Sequence, residues 1–200
     1  MNVFIEENVS FIGYGAFSSC PSLLAVEASE NNEYYKTIDD VLYSKDGTRL
    51  ICYPSGRANT SFSVPLSVVS INDYAFSESN NLALFEVLGN INSIGNCSFH
   101  NCANLETVIF INQTDPTHKT HSFIGCGKLK AIFVSVNYDK ETFCGQNVDK
   151  SIFGGVCGDE ISFYLLHNIL TIIGSGKIDN YSLNSLPPWD LYKASIKEIT

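Results

Sequence analysis

Basic charge is scarce in this chain: 12 Lys and Arg stand against 21 Asp and Glu in 200 residues, a formal net charge of −9. A surface of that sign repels phosphate backbones, which argues against nucleic acid as a partner. Anionic membrane surfaces are disfavoured for the same reason. Charged residues of both signs make up only 16% of the chain, so the polar surface must draw heavily on Asn, Ser and Thr. Long hydrophobic runs are lacking too. The longest, Ile161 to Ile173, is broken by His167 and Asn168, and it falls short of the roughly 20 residues a spanning helix needs. Direct membrane insertion is therefore not expected. The first residues, Met1-Asn2-Val3-Phe4-Ile5-Glu6-Glu7, lack the basic stretch of a secretory leader and meet acids at once. No Cys-x-x-Cys pair occurs, which removes the usual zinc-ribbon and thiol-redox motifs.

The remaining chemistry-bearing residues assemble into nothing catalytic. His118 and His121 with Cys126 could suggest a metal, but no fourth ligand is near and Pro116 opposes the helix that would align the two imidazoles. Gly154-Gly155 and Gly174-Ser175-Gly176 read as turns, because neither precedes a helical pattern or the Lys-Ser/Thr of a phosphate loop. Glu6, Glu7, Glu27, Glu33, Asp39 and Asp40 are scattered, and Asp39-Asp40 suit a turn. Cys144 and Cys157 flank a Gly-rich stretch and are the pair best placed for a disulfide, with two free thiols as the alternative. Catalytic residues, cofactors and metals are thus expected to be none.

What is present is a repeat. Four segments align without gaps. The first runs from Ile12-Gly13-Tyr14-Gly15-Ala16-Phe17 through Cys20 to Leu23 and Val26. The second runs from Ile71-Asn72-Asp73-Tyr74-Ala75-Phe76 to Leu82 and Phe85. The third runs from Ile94-Gly95-Asn96-Cys97-Ser98-Phe99 through Cys102 to Leu105 and Val108. The fourth holds Ser122-Phe123, Cys126, Leu129 and Ile132. The shared pattern is small-Phe-x-x-Cys-x-x-Leu-x-x-apolar, with Asn72 and Ser79 departing from it in the second copy. A step of 23 or 24 residues between Phe76, Phe99 and Phe123 is a solenoid period: one unit cannot bury its own apolar face, so neighbours stack and share a core. Phe17, Phe76, Phe99 and Phe123 are expected inside, with Leu23, Leu82, Leu105 and Leu129 in one column. An inserted unit, Val41 to Tyr53, places two apolar runs around Asp46-Gly47 and reads as a hairpin.

The pattern Ile-Gly-x-x-Ala-Phe-x-x-Cys-x-x-Leu resembles the BspA-like leucine-rich repeats, and the insert at 40–54 is similar to a unit that recurs among them. Gly158, Leu170-Thr171-Ile172, Gly174-Ser175-Gly176, Tyr181 and Pro188-Trp189 resemble a short module interleaved with such repeats. The fold expected is a strand-rich leucine-rich-repeat solenoid of short parallel strands and turns, followed by a C-terminal β-hairpin module. Residues 1–140 form the solenoid, with the hairpin-bearing insert at about 31–64. Residues 141–158 are a Gly-rich link, and 159–200 a hairpin-led module with a small core around Trp189 and Tyr181. Ile196 to Thr200 reads as the start of a further repeat, so the chain looks like a piece of a longer one.

The resemblance implies a cell-surface or secreted protein that attaches to a surface or matrix protein of a host or neighbouring cell. A non-enzymatic recognition or adhesion module is the first reading. A structural spacer in a longer surface protein is the alternative, and an enzyme accessory domain a third. Five Asn-x-Ser/Thr sequons, at Asn8, Asn59, Asn96, Asn112 and Asn180, give weak support to secretion, with Asn59 and Asn112 as the best acceptors. In the Leu-x-x-apolar-x-apolar strands, alternate residues face outward. Glu27, Glu86, Ile109 and Phe133 then make one row along the concave sheet, and they are the candidate ligand-binding residues.

Overall fold

The computed structural model describes residues 1–112, 114–118, 121–158, 161–166, 169–174, 177–179, 187–190, 193–194 and 196–199. In chain order the strands begin with β1 (Asn2–Ile5), β2 (Ala25–Ala28), β3 (Tyr35–Ile38), β4 (Val41–Ser44), β5 (Arg49–Cys52) and β6 (Ser61–Val64). Next come β7 (Ser70–Ile71), β8 (Leu84–Val87), β9 (Ser93–Ile94), β10 (Thr107–Phe110), β11 (Thr117–His118) and β12 (Ala131–Ser135). The last are β13 (Thr142–Phe143), β14 (Gln146–Asn147), β15 (Asp149–Gly158), β16 (Ile161–Leu166), β17 (Ile169–Gly174) and β18 (Glu198–Ile199). Among the described residues a broad sheet runs in the order β18-β17-β16-β15-β12-β10-β8-β6, and a small sheet in the order β11-β9-β7-β5-β4-β3. β1 pairs only with β2, and β13 with β14.

The second, third and fourth repeats each contribute one strand to the broad sheet and one short strand to the small sheet, and each coil turns around its Phe. The turning is local backbone chemistry. Two residues before each Phe the chain enters the left-handed region, at Gly15 (φ 70°), Tyr74 (61°), Cys97 (52°) and His121 (73°). Two residues after, it does so again, at Ser19 (55°), Glu78 (60°), Asn101 (57°) and Gly125 (80°). Such a conformation costs a non-glycine residue about 1–2 kcal/mol. It persists because the bent segments bond coil to coil: Phe76 N–H donates to Ser98 O and Glu78 N–H to His100 O, both at 2.8 Å, and Asn101 N–H donates to Ile124 O at 2.8 Å.

Inside the coils an aromatic column forms. Phe76 and Phe99 stack at 5.0 Å with 10° between ring planes, and Phe99 and Phe123 repeat that geometry. The fourth ring is Tyr53, stacked on Phe76 at 5.1 Å, and not the expected Phe17. Phe17 packs instead on a separate N-terminal cluster of Ile5, Leu23, Val26, Tyr35, Leu42, Ile51 and Cys52. The insert causes the displacement. Its strand β5 joins β7 in the small sheet and delivers Tyr53 to the slot next to Phe76, so the first repeat is set one unit aside. Leu23 leaves the leucine column with it, while Leu82, Leu105 and Leu129 remain in the main core.

The insert is a pair of antiparallel connections. β4 and β5 pair around Asp46-Gly47, where Asp46 Oδ1 accepts from Ser44 Oγ, Thr48 N and Thr48 Oγ1. β3 and β4 pair around Asp39 and Asp40, whose positive φ values of 47° and 63° are those of a tight hairpin turn.

Residues 141–158 are not a link. Phe143 is fully buried with its ring 4.5 Å from Phe110, and 149–158 form β15, parallel to β12 on one side and antiparallel to β16 on the other. The glycines there serve close approach: a Cβ on Gly154 would lie 2.8 Å from Phe163 O. The C-terminal hairpin β16–β17 therefore continues the broad sheet. Its own small core holds Phe163 with Trp189 edge-on at 5.2 Å. Tyr181, expected in that core, lies outside the described residues, as do His167, Asn168, Ser175, Gly176 and Asn180. β18 runs parallel to β17, where a further repeat was expected to start.

The cysteine column also has a physical account. Cys102 Sγ donates to Phe76 O, and Cys126 Sγ to Phe99 O, both at 3.0 Å. Ser79 occupies the same column, yet its buried hydroxyl has no partner among the described residues, and its C–O bond is shorter than the C–S bond of cysteine. Cys144 is a free thiol, pushed up to about 12 by burial, and the side chain of Cys157 lies outside the described residues.

Two outcomes are expected. Phe99→Ala should cost about 3–5 kcal/mol, as for a buried aromatic, with further loss from loosened neighbouring coils; an urea midpoint equal to wild type would remove Phe99 from the core. Ser79→Cys should restore the column and stabilise by about 1 kcal/mol, the net worth of a hydrogen bond. A thermal scan in which it melts no higher than wild type would show that reach is not what Ser79 lacks.

Candidate functional site

The candidate row is set by alternation in three neighbouring strands. Phe85 and Val87, Val108 and Phe110, Ile132 and Val134 point into the main core. Glu86, Ile109 and Phe133 lie on the opposite face, and the ladder places them in register: Glu86 opposite Ile109, and Ile109 opposite Phe133. Ser63 on β6 extends the row beyond Glu86. Glu27 is not part of it. Because the insert separates the first repeat from the rest, β2 pairs with β1, where Glu27 stands opposite Phe4.

Nor is the row open. Glu86 is 5% exposed and Ile109 3%, and Phe133 is half-buried. The hairpin folds over the face: Tyr164 packs with Leu88, Ile109, Ile111 and Ile152, and Phe133, Leu166 and Ile173 close the margin. At the centre is one carboxylate. Tyr164 Oη donates to Glu86 Oε1 at 2.9 Å across 78 residues of chain, and Ser63 Oγ donates to Oε2 at 2.5 Å. Burial, then the Glu86 charge, pushes the Tyr164 phenol up to about 12. A buried carboxylate is costly unless its oxygens are hydrogen-bonded, and these two hydroxyls supply the bonds. The spacing of the repeats could reveal the row; only a contact from a distant segment could reveal its cover.

Glu27, by contrast, is exposed. With Phe4, Lys36, Glu30 and Lys45 it lines an open groove of about 450 Å³. Phe4 is 57% exposed. Six of the twelve large apolar side chains exposed among the described residues, Met1, Phe4, Phe11, Tyr14, Leu24 and Tyr34, fall before residue 35, so apolar surface is concentrated at this end.

The other chemistry-bearing residues are tied into the scaffold. His118 Nε2 lies 3.3 Å from Asp115 Oδ2, and Asp115 also accepts from Tyr138 Oη at 2.5 Å. The Cys102 thiol is driven up by the neighbouring Cys126 sulfur and by burial, and Cys52 is pushed up to about 12 by burial. Asn112, expected as a glycan acceptor, is buried with Nδ2 donating to Ile91 O at 3.3 Å. Asn59 is exposed.

Tyr164→Phe should cost about 1–3 kcal/mol, because it leaves a buried carboxylate oxygen short of a donor. The folded phenol stays protonated to about 12, against about 10 for an ordinary tyrosine. That part of the stability is therefore complete below pH 10 and is lost as pH rises towards 12. Equal chemical-denaturation midpoints for variant and wild type at pH 8 would show that the bond carries no stability.

A leucine-rich-repeat family model of the BspA type matches in six copies over residues 1–45 and 52–157. No curated protein matches the sequence. Among solved structures, the chain is similar to the pneumococcal vaccine antigen PcpA, with 23% identity, a TM-score of 0.54, and coverage of 74% of this chain and 43% of that one. A leucine-rich cell surface protein from Faecalibacterium prausnitzii gives 24% identity, a TM-score of 0.55 and coverage of 74% and 46%. A leucine-rich-repeat protein from Eubacterium ventriosum gives 24%, 0.52, and coverage of 72% and 46%. The chain thus spans less than half the length of each of these structures. With the stacked coils, the in-register ladders and the six matched copies together, the chain belongs to the BspA-type leucine-rich-repeat family.

Proposed function

We propose that this chain is a non-enzymatic recognition module of a surface or secreted protein, engaging a surface or matrix protein of a host or neighbouring cell. The observation that carries the reading is the exposed Phe4 beside Glu27, in a groove whose other walls bring Lys36 and Lys45. An exposed aromatic flanked by charges of both signs is suited to anchoring a protein partner, and a concentration of exposed apolar surface marks interaction sites. Of the four candidate residues, Glu27 serves as a contact. Glu86, Ile109 and Phe133 serve as the seat of the hairpin. The vaccine antigen and the cell surface protein among the similar structures support a surface location. A structural spacer is the second reading, and it is favoured by the broad sheet face being occupied by the chain's own hairpin.

The test is attachment of the isolated chain to cultured epithelial cells and to a basement-membrane extract. The double variant Phe4→Ser, Glu27→Lys changes only exposed side chains and should keep its melting temperature. It should bind at least about tenfold more weakly, equivalent to about 1.4 kcal/mol. A folded variant that attaches like wild type overturns recognition through this groove and leaves the spacer.

A further inference from the structure

The small sheet carries a second outward row. Arg49 stands opposite Ser70, Ser70 opposite Ser93, and Ser93 opposite Thr117, while Leu50, Ile71 and Ile94 beside them point into the core. The row therefore offers one guanidinium and three hydroxyls, one per coil, at steps of about 4.8 Å. No hydrogen bond engages the side-chain hydroxyls of Ser70, Ser93 or Thr117 among the described residues. The row forms the floor of a groove of about 280 Å³, walled by Tyr14, which is 66% exposed, and by Asp73. Asp73 is held in place, with Oδ1 accepting the Asn96 N–H at 2.8 Å.

We propose that this groove binds a neutral glycan chain. Sugar hydroxyls both donate and accept, and so do the Ser and Thr hydroxyls of the floor; Arg49 adds donors only and Asp73 acceptors only. Sugars also present C–H faces that pack on an aromatic ring, and Tyr14 supplies one at the rim. The coil step is comparable to the length of one sugar unit in an extended chain, so successive units meet successive rows. Other ligand classes fit less well. One cation and one anion in the groove cancel, and the net charge of −9 repels an anionic ligand. A peptide added as a strand needs a free sheet edge, whereas Arg49, Ser70 and Ser93 lie on strands paired on both sides, and only Thr117 lies on the edge strand β11. The groove is separate from the one that holds Phe4 and Glu27, so the proposal goes beyond recognition of a protein partner.

The test uses the whole chain on an array of neutral oligosaccharides (β-glucan, mannan and N-acetylglucosamine hexamers) with sulfated glycans alongside. Calorimetry then follows with any hexamer retained. At least one neutral hexamer should be retained. Tyr14→Ala, and separately the double variant Ser93→Ala, Thr117→Ala, should weaken it by at least about tenfold without a change in melting temperature. Arg49→Gln, also at an exposed position, provides an independent variant should either of those fail to fold. The Phe4→Ser, Glu27→Lys variant should bind the hexamer as wild type does, so a failed attachment test and a failed glycan test are distinguishable. Retention of no neutral hexamer, retention of sulfated glycans alone, or equal binding by wild type and the folded groove variants would each overturn the proposal.

Discussion

The stack of Tyr53, Phe76, Phe99 and Phe123 is the contact on which the rest of the molecule depends. Ring centroids 5.0 to 5.1 Å apart nearly equal the spacing of neighbouring strands, about 4.8 Å. One ring per coil therefore fills the interior and is compatible with both sheets at once. A second set of rings locks the column from the side: Phe85 lies edge-on to Phe76 at 5.0 Å and to Phe99 at 4.6 Å. The left-handed residues on either side of each Phe turn the chain around its ring, and along the stack their strain is offset by hydrogen bonds from coil to coil.

Much of this was legible in the sequence. The period placed Phe76, Phe99 and Phe123 inside and Glu86, Ile109 and Phe133 on the opposite face, because alternation in a strand leaves no other choice once one residue is fixed. The place of Tyr53 in the column, ahead of Phe17, is also legible. Tyr53 precedes Phe76 by 23 residues, the same step that separates Phe76 from Phe99, so the insert ends by supplying a repeat position of its own. The paired left-handed turns were less accessible. Gly15 and Gly125 announce theirs, but Tyr74, Cys97 and Glu78 carry no such signature; there the fold overrides local preference. The glycines at 154 and 155 misled in the opposite direction, since glycine marks close backbone approach as readily as a flexible link.

The hairpin was the least legible feature. Its sequence gives two apolar strands, and nothing local says that Tyr164 reaches a carboxylate 78 residues away. Yet the solenoid creates a need for it. The register that sends Phe85 and Val108 inward sends Glu86 and Ile109 outward side by side, leaving apolar area next to a charge. Covering that face buries the Ile109 and Ile111 side chains, and the cover is tolerable because it brings a hydroxyl to Glu86 with it.

The consequence for function follows from which faces remain. On the broad sheet, outward residues are coupled to the hairpin, so a change at Glu86 or Ile109 alters folding before it alters any surface. On the small sheet and at the N-terminal pair, outward residues are uncoupled from the aromatic column: Arg49, Ser70 and Thr117 can vary while Leu50, Ile71 and Ile94 hold the core. A scaffold built this way separates the residues that specify the fold from those that can specify a partner. The outward side chains that the chain itself leaves uncovered lie beside Phe4 and along the hydroxyl row, and not on the sheet that a repeat pattern alone would nominate.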